Sequence, residues 1–104
     1  MSSDRKTVRA TLGFFDDLDR QLTHERGPNG EPSVGDFQVH ELLLITERFA
    51  LDFDQLPLLI PGRSDYRILI ATGKLIVAFS VVGQLMPDGA IELLRLDLDT
   101  SRWP

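Results

Sequence analysis

The sequence predicts an α+β fold: a two-helix hairpin packed on a small antiparallel sheet of three to four strands. Three observations carry this reading. Tyr66 to Asp99 contains three runs rich in β-branched, aromatic and aliphatic residues, bounded by Gly and Pro, which is the composition of strands. The links between those runs are too short for the crossover that parallel neighbours need, so they read as an antiparallel meander. Ahead of them, apolar residues recur near the helical period in two stretches, 14–22 and 36–54, separated by a Gly- and Pro-rich loop.

The meander is the clearest part. Its first strand is Tyr66 to Ala71, turned by Thr72-Gly73-Lys74. The second runs from Leu75 to Val82, and the third from Ala90 to Asp99 after the Pro87-Asp88-Gly89 turn signal. The first strand alternates Tyr66, Ile68 and Ile70 against Arg67, Leu69 and Ala71. The second is apolar on both faces, as suits a central position. The third ends with Leu94, Leu96 and Leu98 inward and Arg95, Asp97 and Asp99 outward, whereas Ile91 and Leu93 hold the opposite phase. Either both faces are covered there, or a bulge shifts the register near Leu93.

The N-terminal segment Lys6 to Leu12 alternates weakly, and reads equally as a short strand or as the start of the first helix. Phe14, Phe15, Leu18 and Leu22 form the stripe of that helix, with Asp16, Asp17 and Asp19 in its first turns, Thr11 or Gly13 as its cap and an end near Gly27. Gly27 to Ser33 is the loop. Ser33 and Asp36 have the spacing of a capping box. The second helix spans about Asp36 to Asp54, with Phe37, Leu42, Ile45, Phe49, Phe53 and Leu56 as its apolar stripe, which Leu43 and Leu44 widen. Pro57 ends it. Leu58 to Gly62 is an apolar connector to the sheet.

Composition bounds the function. The 104 residues read as a single domain, 1–104, with 42% hydrophobic content and no cysteine. There is no thiolate zinc site, no EF-hand spacing around Asp16, Asp17 and Asp19, and no nucleotide-binding glycine motif, so neither metal nor cofactor is expected. No apolar run approaches the roughly 18–20 residues of a membrane span, and Met1 to Lys6 lacks a signal-peptide core. A cytoplasmic protein without membrane contact is expected. Net charge is −5, concentrated in residues 16–54, where ten acids face three arginines. Such a chain is a poor general binder of nucleic acid.

Short strand, helical hairpin and three-stranded meander, in that order, resemble the RelE/ParE toxin superfamily of bacterial type II toxin–antitoxin pairs. The local signature is Ile60-Pro61-Gly62-Arg63-Ser64-Asp65-Tyr66-Arg67-Ile68, followed by Gly73-Lys74-Leu75-Ile76-Val77-Ala78-Phe79. The resemblance implies a toxin component with a cognate antitoxin protein as partner. In the RNA-cleaving members it implies metal-independent endoribonuclease action on messenger RNA at the ribosome. Carried onto this chain, it makes Arg67 and Lys74 the catalytic cations on the scissile phosphate and Arg63 a substrate-binding cation, a role for which charge on the phosphate supplies the physical reason.

The chain departs from that pattern at Leu69, where a second basic residue is common. It departs again at Asp97, Asp99, Arg102 and Trp103, where basic residues and a Tyr or His often follow the last strand. Neither His24 nor His40 stands where an acid or base is wanted. A gyrase poison or an inactive member fits these departures equally. Each cation also has a plain structural reading: Arg67 as an ion-pair partner of a helix acid, Lys74 as a turn residue, Arg63 as a loop cation. The alternative function is a non-enzymatic interaction module on the same fold. The apolar second face of its sheet would then be covered by a protein partner or by a second copy of the chain. Charge discriminates the two, because a nuclease needs a positive patch on the sheet.

Overall fold

A computed structural model describes residues 5–22, 25, 33–72 and 78–99. It is α+β, with helices on one face of a five-stranded mixed sheet. The strands are β1 (Val8–Ala10), β2 (Leu58–Ile60), β3 (Arg63–Ala71), β4 (Ala78–Leu85) and β5 (Ile91–Asp99), in the spatial order β1-β5-β4-β3-β2. The loop 26–32, the turn at Gly73-Lys74, the opening of the second meander strand and the tail from Thr100 lie outside the described residues.

The expected sheet of three to four antiparallel strands is corrected in two ways. First, Lys6 to Leu12 divides between the two readings left open for it. Val8–Ala10 is a strand parallel to β5, with Val8 opposite Ile91 and Ala10 opposite Leu93. Helix α1 (Leu12–Gln21) then begins immediately. The parallel pairing is possible because α1 and the second helical run make the long crossover between β1 and the rest of the sheet. Second, the connector Leu58–Ile60 is itself a strand, antiparallel to β3. Pro61 and Gly62 close that hairpin, and Gly62 adopts φ 84°, a conformation open to glycine at little cost.

Thr11 rather than Gly13 caps α1. Its hydroxyl accepts from Phe14 N at 3.3 Å and donates to Leu93 O at 2.8 Å, so one side chain fixes both the helix start and its place beside β5. Because the helix starts at Leu12, Asp16 and Asp17 fall in its second turn, not its first. Asp17 is not on a solvated face: it is buried, and its carboxylate accepts Leu96 N–H at 2.9 Å. One turn later, Gln21 Oε1 accepts Leu98 N–H at 2.7 Å, and Gln21 Nε2 donates to Leu96 O at 2.6 Å. The edge of β5 beyond β1 is thus satisfied by helix side chains instead of another strand.

The second helical run starts at Val34, two residues before the expected position, behind the Ser33–Asp36 capping box, whose two bonds measure 3.0 and 3.1 Å. Helix α2 (Val34–Phe37) passes through a π-helical turn, Gln38–Leu42, into α3 (Leu43–Asp52) and a 3₁₀ turn, Phe53–Gln55. The apolar stripe carries the trace of that turn: Phe37 to Leu42 is a step of five, and later steps are three or four. Phe37, Ile45, Phe49, Phe53 and Leu56 are buried as expected. Leu43 and Leu44 do not widen the stripe; they are exposed, as is His40.

One core holds the two layers together. Phe14 and Leu18 from α1 meet Ile45, Phe49 and Phe53, and all rest on Leu69, Phe79, Val81, Ile91, Leu93 and Leu96 of the sheet. The inward set on β3 is therefore Arg67, Leu69 and Ala71, leaving Tyr66, Ile68 and Ile70 on the other face. On β5 the bulge reading holds: Val82 pairs with Arg95 and Gly83 with Leu93, so Leu94 is the extra residue. Leu94 joins the outer face instead of pointing inward. Beside the bulge, Phe49 lies on Gly83 so closely that an added Cβ would sit 2.5 Å from the ring.

Gly83→Ala is expected to lower stability by about 1–3 kcal/mol through overpacking, with a smaller loss when Phe49→Leu is present. Urea unfolding of the two single variants and the double variant checks this coupling.

Candidate functional site

The cations singled out in the sequence do not gather into one site among the described residues. Arg67 lies on the helix-facing side of β3. Its Nη1 donates to Asp54 O at 3.2 Å and Leu56 O at 2.9 Å, and its Nε donates to Ser64 O at 2.9 Å. Its guanidinium carbon stands 5.5 Å from the Phe53 ring centroid, within cation–π range. The first two acceptors are carbonyls at the C-terminal end of the second helical run, which lack helical donors of their own. Arg67 thus pins that helix end to the sheet, through backbone carbonyls rather than a helix acid.

Arg63 is engaged at the β2–β3 hairpin. Its Nε and Nη2 grip the Asp65 carboxylate two-pronged at 3.0 and 2.9 Å, and its guanidinium carbon sits 4.8 Å from the Tyr66 ring centroid. Gln84 adds a bond to the same carboxylate at 3.2 Å. The hydrogen bond from Arg63 is the main cause that holds the Asp65 carboxyl down at about 2, against an ordinary 3.8. Lys74 lies outside the described residues.

The outer face of the sheet forms the most extensive candidate site, and the side chains of four strands build it. β3 contributes Tyr66, Ile68 and Ile70, β4 contributes Ser80 and Val82, and the bulge in β5 adds Leu94. Leu59 extends the surface onto β2. A groove of about 450 Å³ runs over Leu59, Tyr66, Ile68, Ser80, Val82, Leu94, Arg95 and Asp97. Ile70, 69% exposed, stands at the end where Asp97 and Asp99 also emerge. An apolar strip of this kind on a sheet face is a surface for contact, because water is a poor neighbour for it.

Among the described residues of this face, Glu92, Asp97, Asp99 and the turn residue Asp88 stand against Arg9 and Arg95, while Arg63 over Tyr66 is paired with Asp65. Arg9 is held by Asp88 at 3.1 Å and Glu92 at 3.2 Å. Arg95 reaches toward the edge, 4.0 Å from Asp17. Asp17, in turn, is paired with Arg20. The positive patch that phosphate handling requires is not formed by the described residues of the sheet.

Sequence reading placed an apolar patch on the second face through the central strand. It missed the contribution of Leu94, because the bulge that rotates this residue outward is a property of strand pairing. It also missed Asp17 and Gln21, whose i, i+4 spacing on α1 is visible in the sequence but whose acceptor and donor roles belong to another element. No helix among the described residues is long and apolar enough to cross a membrane. Comparison with protein-family models, curated proteins and solved structures found no match.

Arg67→Ala is expected to destabilise the chain by about 1–3 kcal/mol, because it strands the carbonyls of Asp54 and Leu56. Arg63→Ala should lower the denaturation midpoint by much less than Arg67→Ala does, since its ion pair with Asp65 is exposed. Thermal and urea melts of both variants provide the comparison.

Because the folded-state value of Asp65 is depressed, its contribution to stability is complete above 3.8 and fades as pH falls through about 2. A carboxyl-detected NMR titration should place Asp65 near 2 in the parent and back toward 3.8 in Arg63→Ala. An unshifted titration in that variant would show that Gln84 and the backbone dominate instead.

Proposed function

We propose that this chain is a protein-binding component of the RelE/ParE toxin type, working through contacts of its sheet rather than through chemistry on a phosphate. The observation that carries this reading is the outer face, whose described residues are apolar across β2, β3, β4 and β5, carry no net positive charge and are covered by no other described element. The order of elements supports the superfamily resemblance, with the connector strand β2 as an addition to it. A cytoplasmic toxin component held by a cognate antitoxin fits these features.

The endoribonuclease form of the reading has less support. Arg67 is occupied with backbone carbonyls and Arg63 with Asp65, so a phosphate would have to displace short, well-directed bonds to reach either. Of the three candidate cations, Lys74, outside the described residues, is the one left for that form, and the sequence offers no general acid or base at the positions the resemblance implies.

Induced expression in a bacterial host separates the two, with growth and bulk translation as readouts. The parent chain should arrest growth, Ile70→Glu should relieve the arrest, and Arg63→Ala and Lys74→Ala should arrest as the parent does. Relief by Lys74→Ala with Ile70→Glu still toxic would overturn the contact reading in favour of a nuclease.

A further inference from the structure

β3 is longer than the strand that covers it. β2 pairs with it at Arg63 and Arg67, and the last bond on that side runs from Ile68 N–H to Pro57 O at 3.0 Å. β3 continues to Ala71, with its opposite side paired to β4 as far as Ala71 and Phe79. In an antiparallel ladder, alternate residues turn their N–H and C=O to the same side. Ile68 N–H points away from β4, so the N–H and C=O of Ile70 do so too. Among the described residues, no partner takes them up.

An open strand edge selects one kind of ligand, an extended backbone that accepts from the N–H and donates to the C=O. The side chains beside this edge add to the selection. On the outer face stands Ile70, 69% exposed. On the inner side, a groove of about 420 Å³ lies between β3 and α3, with Leu44, Ile45, Leu69, Ala71 and Phe79 as its apolar lining. Successive side chains of an added strand alternate between the two faces. One would enter the groove, and its neighbours would lie beside Ile70. The outer edge of β1 offers less, because the groove beside it is lined by Arg5, Lys6, Thr7 and Thr46 as well as Val8 and Ala50.

A second copy of the chain does not fit this edge. Pairing two β3 strands about a two-fold axis centred on Ile70 would bring the copy's Leu69 and Ala71 to the groove side. Those side chains belong to the copy's own inward set, Leu69 being 4% exposed, so neither is left to fill the groove. In that register Ile68 N–H, opposite the copy's Thr72, is already taken by Pro57 O.

We infer that the edge of β3 at Ile70 takes an extended segment of a different polypeptide, which adds as a strand in line with β2 and sets a large apolar side chain into the groove beside α3. The assignment goes beyond the outer-face reading and rests on the unmade backbone bonds of Ile70.

The test is selection from a displayed library of short linear peptides against the full-length chain, followed by amide hydrogen exchange and affinity measurement with the enriched peptides. Selected sequences should alternate apolar residues, with a large one at a fixed position. In the free chain Ile70 N–H should exchange fast, beside the slow, β4-paired amide of Leu69, and bound peptide should protect it. Ile70→Pro removes the edge donor at a position where a strand tolerates proline, because that N–H is not part of the ladder. Leu44→Glu places a charge at the groove on an exposed position. Each variant should weaken the peptides about tenfold, and Leu44→Glu should melt as the parent does.

No enrichment, an Ile70 amide already protected in the free chain, or affinity that either variant leaves unchanged would overturn the inference. Protection that appears at Val8 and Ala10 instead would overturn it in favour of β1. A parent dimer in sedimentation that Ile70→Pro splits into monomers would assign the edge to a second copy. The outer-face reading is scored separately by growth. Relief of arrest by Ile70→Glu with no strand-forming peptide keeps the face and removes the edge site. Peptide-bound protection of Ile70 in a chain that arrests nothing keeps the edge site and removes the toxin reading.

Discussion

The bond from Leu96 N–H to the buried Asp17 carboxylate, with the two Gln21 bonds beside it, is the contact on which the architecture turns. β1 covers β5 for only three residues, and past that point the edge backbone of β5 would face its surroundings without a partner. Helix α1 supplies one. A carboxylate accepting a backbone N–H makes a stronger bond than a neutral acceptor, and Arg20 and Arg95 offset its charge. The edge is closed by side chains, so the sheet need not grow on that side.

This closure determines where the molecule remains open. On the other side of the sheet, β2 is three residues long and bounded by Pro57 and Pro61. The same device fixes the lateral position of α1, and Thr11 fixes its start on Leu93 O. Phe14 and Leu18 are then presented to the core, and Phe49 can settle on Gly83 only because that strand position has no side chain. The Leu94 bulge belongs to the same region. It keeps Leu93 and Leu96 both inward and spares Leu94 for the outer groove.

The fate of the arginines illustrates why residue type alone is a weak guide to chemistry. Arg67, in the Tyr66-Arg67 pair, and the nearby Arg63 are cations that the sequence alone offers as phosphate contacts. In the folded chain, one serves the end of a helix and the other serves a hairpin. An arginine has several donors in a fixed plane, which suit carbonyl clusters and carboxylates as well as phosphates. Which acceptor it finds depends on what the fold brings within reach.

The sequence by itself determined the layers. Periodicity located both helices and the meander, and Ser33 and Asp36 announced a helix start that the capping bonds realise. The phase change between Leu93 and Leu96 held the bulge as one of two readings. These are local matters, set by spacing along the chain and by which side chains avoid water. Only the tertiary structure decided that β1 runs parallel to β5, that Leu58–Ile60 is a strand, that Leu43 and Leu44 stay exposed, and that Asp17 and Arg67 spend their charge on distant backbone. Those outcomes depend on partners up to about 80 residues away in the chain, since Asp17 and Leu96 are separated by 79. Hydrogen-bond acceptors and donors are nearly universal along a backbone, so no local pattern specifies which of them a given side chain will meet.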